Sequence, residues 1–577
     1  MPDVLRPGDP DREISVSEPG ASTIHRRSPP RWALPALLLV YLATYARTVG
    51  FDFVWDDSTN FSQSDLMRGP LSGVIRKGEH ARSEPATERA PKNLVPAHES
   101  YRPVSVTSHW LDVRFFGDRP GPMHLHSVLL GLLSILLVHA LGRTLGLGLW
   151  LPALWALHPL HVEVFAYISA RSDLLAAIFS LLALLLALRS ADATKVRGRW
   201  LWAYAATLAQ LASLFAKEAN LALPAAVLAL AVARRKTRAS LASVTALLLG
   251  TAAYFPLRAL FMQAVSLPMA QEKSLLRAVV DLPGVALAYA TSFVSPFSLT
   301  PDRHLWPTFL PLGWIALVAL VIAMALFVRR VRAAARLDFG LALCALLALG
   351  PILLPAALGV RSIGALSDRY AFFPFLFLAI AFLATARIAA LALARVHRTL
   401  WLAPVTVWCG LLLATTWQQV DAWKNEETLA QYSVAMDPEN SASLYRLATI
   451  ATSRGLFVEA LPLLEKAVAI DPSDERALNN LAVTYLSLNR VADAKAVLRR
   501  LLPLAGATDR RFWFNVASAQ VADGKPEKAC SALSHALEID PGYARALALR
   551  ERICTRPAVN PSPSAAPLAN PAAPPRP

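Results

Sequence analysis

The chain of 577 residues is 55% apolar and only 17% charged, with mean hydropathy +0.41. That balance excludes a string of three or four ordinary soluble domains and points to a polytopic membrane protein. A net charge of +16 would suit nucleic-acid binding only if it lay on one soluble face, and four cysteines without a CxxC pair exclude a disulfide scaffold and a CxxC metal site.

Residues 1–31 are polar and Pro/Ser-rich before turning basic at Arg26, Arg27 and Arg31, which reads as a disordered cytoplasmic tail. The apolar run from Trp32 to about Val49 is too long for a signal-peptide core and has no small-residue cleavage site after it, so it is expected to be a signal anchor. Uncharged segments able to cross a hydrocarbon core of roughly 30 Å recur at 125–141, 144–157, 174–188, 200–216, 219–233 and 240–257. Four more follow at 310–328, 339–358, 371–386 and 400–417, giving eleven expected spans within 32–420. The moderately apolar stretch 278–299 is expected to be re-entrant or interfacial, because a crossing there would move Arg329, Arg330, Arg332 and Arg336 to the opposite side.

The charge has an address. The loops at 26–31, 143, 189–199, 234–238, 329–338 and 387–398 carry 19 Lys/Arg and two Asp, and all of them fall on one side of the eleven-span scheme. By the positive-inside rule that side is cytoplasmic. The first long loop, 50–122, and everything after residue 418 then lie outside, in the periplasm or the lumen of the endoplasmic reticulum. The excess is a topology signal and gives no reason to expect nucleic acid.

After the last span the composition becomes soluble and a 34-residue period appears, with Asp437-Pro438 and Asp471-Pro472 one period apart and Asp540-Pro541 two periods plus one residue further on. Units at about 441–474, 475–509 and 510–543 carry the small and apolar positions of tetratricopeptide repeats: Leu444, Leu447, Ala448 and Ala460 in the first, Leu478, Leu481, Ala482 and Tyr485 in the second, and Trp513, Val516, Ala517 and Gly524 in the third. Residues 421–438 resemble the second half of a further unit, 544–556 a capping helix, and 557–577 a disordered Pro/Ala-rich tail. Asn480 and Asn515 hold the sixth position of their repeats, where asparagine amides facing a concave groove would bind the backbone of an extended acceptor peptide; the plain alternative is ordinary surface asparagines. Arg446 stands at that position in the first unit and breaks the ladder. Cys530 and Cys554 are within reach of a disulfide if the third repeat and the cap pack suitably.

Ionisable residues at the boundary of membrane spans are costly, which makes them candidates for function. They cluster on the outer side: Asp56 and Asp57 in Val54-Trp-Asp-Asp57, Arg102 in Tyr101-Arg-Pro103, His158, His161, Glu163, Arg171 and Asp173 in the stretch from His158 to Asp173, Lys217 and Glu218 in Ala216-Lys-Glu218, and Asp368 and Arg369 in Asp368-Arg-Tyr370. Either aspartate would serve as a base toward an attacking hydroxyl. Arg102, Arg171, Lys217 and Arg369 would hold a phosphate, and His158, His161, Glu163, Asp173, Glu218 and Asp368 would support them. The plain alternatives are interfacial salt bridges, such as Glu163 with Arg171 or Lys217 with Glu218, and a helix cap at Asp57. His158 and His161 without a cysteine partner do not make a zinc site, and the sequence indicates no metal, although the aspartate pair has the chemistry to hold a divalent ion.

These motifs, in this order and followed by tetratricopeptide repeats, resemble the transmembrane and tetratricopeptide repeat-containing O-mannosyltransferases and their bacterial relatives, over about residues 32–556. The resemblance implies an all-α fold: a polytopic helical bundle of the GT-C glycosyltransferase type followed by an α-solenoid. It also implies an inverting transfer from a polyprenyl-phosphate sugar donor to Ser/Thr of an exported protein or peptide held by the repeats, beside the lipid bilayer; the alternatives are a transferase acting on a glycolipid or polysaccharide and a non-catalytic membrane-anchored repeat scaffold, and no cofactor is expected to be required. A reporter fused after Val420 is expected to be active only outside the cytoplasm; activity inside would overturn the eleven-span scheme.

Overall fold

The computed structural model describes residues 30–57, 60–61, 65–77, 101–260, 275–301, 309–328, 340–343, 345–346, 367–392, 399–505 and 509–554. Among them the chain is helical throughout, with no strand. In the first long loop residues 78–100 fall outside the described residues, as do the two tails and most of the segment 339–358.

The membrane part begins with α1, Ala33–Tyr45, which tightens into a 3-10 turn to Gly50. Short helices α2, Asp65–Arg68, and α3, Leu71–Lys77, precede α4, Pro103–Phe116, and α5, Pro120–Thr144. Then come α6, Trp150–Leu157, α7, Val162–Ala166, α8, Arg171–Asp192, α9, Val196–Ala216, α10, Leu223–Ala233, and α11, Thr237–Ala259. They are followed by α12, Leu275–Val294, α13, Phe309–Val328, α14, Phe372–Ala392, and α15, Thr399–Ala422. Five stretches are long and apolar enough to cross a bilayer: Ala33–Gly50, Pro120–Thr144, Ile168–Asp192, Thr237–Ala259 and Asp368–Ile388.

Five of the eleven expected spans coincide with these stretches, and two others need correction. The segment 144–157 yields a helix of only 8 residues, because Gly146 and Gly148 both adopt left-handed backbone and spend half of the apolar run on a turn. The segment 219–233 yields 11 helical residues, its first part being a 3-10 turn ahead of Pro224. At 1.5 Å per residue neither helix crosses a bilayer alone. Within the stretch 278–299, α12 runs to Val294 and a 3-10 turn follows at Pro296–Ser298; Phe293 of α12 lies stacked on His158 at 5.4 Å in the core.

Helix α8 is the centre of the bundle and packs on α5, α9, α10 and α11. Its face toward α9 is built of small residues, Ala176, Ser180 and Ala183, opposite Ala206, Ala209 and Ser213. Small residues let two backbones approach where no water is present to drive association. Ser180 and Ser213 share a hydrogen bond of 2.8 Å, Ser213 donates to the Ala176 carbonyl at 2.8 Å, and Asn220 donates to Ser180 at 2.9 Å. This polar knot sets the turn after α9 against α8, and that turn carries Lys217 and Glu218.

The soluble part is a stack of helix pairs. After α16, Glu426–Met436, come α17, Ser441–Ser453, with α18, Phe457–Ile470; α19, Glu475–Ser487, with α20, Val491–Ala505; and α21, Arg510–Ala522, with α22, Pro526–Ile539. Helix α23, Ala544–Cys554, closes the stack. Asn440, Asp474 and Asp509 cap the first helix of each pair with their side chains, and the tight turn inside each pair is left-handed at Gly455, Asn489 and Gly524. Cys530 is bonded to Cys554, with a Cα separation of 5.9 Å, and so ties α22 to the cap.

Gly131 on α5 lies against Tyr41, where an added Cβ would fall 1.8 Å from the phenol oxygen. Gly131→Ala is expected to destabilise the bundle by about 1–3 kcal/mol, the usual range for overpacking. Tyr41→Phe in the same chain should recover part of that loss; equal thermal midpoints for the single and double variants would refute this packing.

Candidate active site

The loop after the first span folds back on itself: Asp57 N donates to the Val54 carbonyl at 3.1 Å and Val54 N donates to Asp57 Oδ2 at 3.3 Å. Between them Trp55 is left-handed, with φ +52°. A bulky residue held there carries strain of about 1–3 kcal/mol and persists only where its surroundings hold it. Here they do: the Trp55 ring meets Trp423 at 5.2 Å and Tyr167 at 5.4 Å, and the Arg446 guanidinium lies 4.5 Å from its centroid. Trp55 N donates to Glu426 Oε1 at 2.5 Å, and Asp52 N donates to the Lys424 carbonyl at 3.0 Å.

This turn sends the two neighbouring carboxylates to different environments. Asp57 is fully buried, and its Oδ1 accepts from Ser169 N at 2.9 Å and Ser169 Oγ at 2.5 Å. Burial pushes its pKa up to about 7 against the lowering effect of the hydrogen bonds from Ser169 and Val54, and the neighbouring Asp56 adds to the rise. Asp56 is exposed, and its carboxylate makes no hydrogen bond or ion pair among the described residues. Asp57 therefore ties the loop to the turn before α8, while Asp56 is presented to solvent. Tyr167, stacked on Trp423 at 5.4 Å, stands within electrostatic reach of Asp57, Asp56 and Arg369, so it lies between the aspartates and the cations.

Each expected cation is paired with a carboxylate on a different element. Arg102 holds Glu218 through two bonds of 3.0 Å; Lys217 Nζ lies 2.6 and 2.7 Å from the Asp173 oxygens; Arg369 Nη1 donates to Glu163 at 2.6 Å. Glu163 also accepts from Ser367 Oγ at 2.8 Å and from Arg369 N at 2.9 Å. Burial alone would raise Glu218, yet the Arg102 guanidinium more than offsets it and lowers the carboxyl to about 2. The sequence-based pairs Glu163–Arg171 and Lys217–Glu218 are thus replaced by pairs across the fold.

Arg171 needs the firmest correction. It is fully enclosed, donating to Asp112 Oδ2 at 2.5 Å, the Met123 carbonyl at 2.6 Å and Ser127 Oγ at 3.2 Å, so it pins α8 to α4 and α5 and offers nothing to a phosphate. Lys217 and Arg369, by contrast, line one cleft with Asp173, Asn220 and Tyr370, closed on one side by Phe372, Phe373 and Pro374. Arg369 Nε and Nη2 make no hydrogen bond among the described residues.

The supporting residues divide in the same way. His158 accepts from Leu160 N at 3.2 Å through Nδ1, and its Nε2 faces the Phe293 carbonyl at 2.9 Å. His161 Nδ1 lies 2.6 Å from the Trp155 carbonyl, with Phe372 and Phe375 around the ring. Both histidines brace the core and neither faces the cleft. Asp368 is buried beside Tyr432, whose hydroxyl is pushed up to about 12 by burial and then by that carboxylate. Asn480 donates to Thr449 Oγ1 at 3.1 Å, and the buried Asn515 donates to Asn479 Oδ1 at 2.7 Å. Their amide N–H groups join successive repeats, which corrects the expected free ladder.

Tetratricopeptide repeat models match residues 451–513 and 511–543. A protein O-mannosyl-transferase of Caenorhabditis elegans is 27% identical over 165 residues, 27% of this chain and 23% of that one. Protein O-mannosyl-transferase TMTC4 of Mus musculus is 29% identical over 176 residues, 27% and 23% of the two chains, and TMTC1 of Mus musculus is 37% identical over 101 residues, 17% and 11%. Over these segments the chain is similar to protein O-mannosyl-transferases, and its C-terminal part carries tetratricopeptide repeats. The matches span about a quarter or less of these relatives' length.

The fold adds residues that motif reading passed over. Ser169 and Trp55 lay inside motifs already singled out, and Arg446 was marked as the break in the asparagine ladder. Tyr167 lay in the same stretch as Ser169, whereas Asp112 and Glu426 carried no signal, since each matters only through a partner distant in the chain.

Because folding raises the pKa of Asp57 above its unfolded value near 4, its protonation stabilises the fold at low pH, and that contribution is lost as pH rises through about 7. Asp57→Asn is expected to flatten the fall in thermal midpoint between pH 4 and pH 7; an unchanged slope would show that Asp57 does not titrate in this range.

Proposed function

We propose that the protein is an integral-membrane glycosyltransferase that moves a mannose-type sugar from a polyprenyl-phosphate donor to Ser or Thr of exported proteins, with the repeats presenting the acceptor. The observation that carries this reading is the exposed Asp56 carboxylate, unpartnered among the described residues and within electrostatic reach of Tyr167, as is Arg369 of the cleft that Lys217 also lines. The names of the relatives, all protein O-mannosyl-transferases, support the sugar and the protein acceptor.

In this reading Asp56 accepts the proton of the acceptor hydroxyl, whose oxygen forms the new bond to the anomeric carbon from the face opposite the leaving group. The bond from that carbon to the phosphate oxygen breaks, and the lipid phosphate departs with the electron pair. Lys217 and the remaining N–H groups of Arg369 stabilise the charge that develops on it. The aromatic wall of Phe372 and Phe373 suits the first isoprene units of a lipid. The Cys530–Cys554 disulfide supports placing the repeats in an oxidising compartment, the periplasm or the lumen of the endoplasmic reticulum, in agreement with the basic loops on the other side.

The test is transfer from synthetic polyprenyl-phosphate mannose to a Ser/Thr peptide by the full chain in lipid, paired with glycopeptide mass spectrometry of exported proteins. Asp56→Asn is expected to cost at least about 100-fold in turnover, the low end for loss of a general base, and Asp57→Asn much less. Full transfer by Asp56→Asn would remove the base assignment. An exported proteome unaltered in a deletion strain would sink protein glycosylation, and a change confined to glycolipids would move the acceptor to that class.

A further inference from the structure

The first tetratricopeptide unit differs from its successors at one place. In the second and third units the sixth residue is Asn480 or Asn515, and each reaches back to the preceding unit, to Thr449 and to Asn479. The first unit has no complete unit before it, and there the sixth residue is Arg446, whose longer side chain crosses to the Trp55 ring at 4.5 Å. The neighbouring contacts run the same way, since Glu426 accepts from Trp55 N, the Lys424 carbonyl accepts from Asp52 N, and Trp423 meets the Trp55 ring. A further brace lies just ahead, where Arg47 pairs with Asp421 at 3.0 Å and covers Trp417 at 4.1 Å. The membrane-side loop therefore occupies the place in the solenoid that a preceding repeat would fill.

Asp56 follows Trp55 directly, and among the described residues no side-chain partner locates it. Its position is set by the backbone on either side: Asp57, held by Ser169, and Trp55, held in a left-handed conformation by groups of the repeat end. We infer that Arg446 is a positioning residue for the catalytic loop, acting through Trp55, so that the first repeat sets the geometry of Asp56 as well as leading the acceptor toward it. This rests on the transferase reading above for its catalytic half and on the contacts alone for its structural half.

The two halves are tested together on the full chain in lipid. Hydrogen exchange is followed for the amides of residues 52–57 and, as a control, for residues 477–486 in the core of the second repeat. Steady-state transfer is measured from synthetic polyprenyl-phosphate mannose to a Ser/Thr peptide. Arg446→Met keeps the apolar stem and removes the charge. It is expected to speed exchange at 52–57 about tenfold, the effect of losing a half-buried cation over an indole ring, while 477–486 stays protected. Turnover should fall about tenfold with the peptide KM within about twofold, and Arg446→Lys should recover part of both. Unchanged exchange at 52–57 overturns the inference, and so does a raised KM at unchanged kcat, which would make Arg446 a peptide contact. If Arg446→Met also loosens the repeat core, Trp55→Leu decides, since it breaks the same contact from the loop side: faster exchange at 52–57 alone supports the inference, and no change refutes it. Wild-type protein that transfers nothing would refute the transferase reading and leave the exchange result fully readable.

Discussion

A charge carried to the depth of a membrane bundle is tolerable only where a counter-charge meets it, and the site of this protein is organised by that requirement. Arg102 with Glu218, Arg171 with Asp112, Lys217 with Asp173, and Arg369 with Glu163 each join elements far apart in the chain. Loss of one member of a buried pair leaves the other uncompensated, at a cost of about 3–5 kcal/mol. The four pairs therefore hold one another's loops in place, and the turns before α4, before α8, after α9 and before α14 converge on one end of the bundle.

The pairs are unequal in what they leave over. The Arg171 pair is sealed and acts as a strut between α8 and the α4–α5 corner. Lys217 and Arg369 sit at the wall of a cleft, held by one carboxylate each, with donor capacity on the cleft side. A cation already anchored needs little rearrangement to meet an anion, which is the property that electrostatic stabilisation of a leaving group requires. The same economy governs the aspartates: one is spent on anchoring the loop, and this leaves the other in a defined place with its carboxylate uncommitted.

The first repeat is packed against the loop that carries Asp56. Solenoids need caps because an end unit exposes a face that its neighbour would cover. At the C-terminal end α23 and a disulfide provide the cover; at the N-terminal end the Asp56 loop does, through Trp55, Glu426 and Arg446. The loop gains rigidity from a domain that folds mostly through its own local contacts, and the two parts meet on the face of the bundle where the cations gather.

Composition, loop charge and a 34-residue period were enough, from the sequence by itself, to determine an all-helical membrane bundle followed by tetratricopeptide repeats, because each of these signals is local or periodic along the chain. The Asp-Pro marks and the ionisable residues at the ends of the apolar segments were legible for the same reason. Which charge meets which was decided only by the tertiary structure. Sequence neighbours such as Lys217 and Glu218 point to different partners, and the shared cleft of Lys217 and Arg369, the burial of Asp57 beside an exposed Asp56, and the reach of Arg446 to Trp55 all depend on helices that meet across more than a hundred residues of chain. Span length was likewise beyond apolarity alone, since Gly146 and Gly148 turn half of one apolar run into a loop. A pattern of residues records what each position prefers; the pairing of buried charges records where the folded chain has brought them.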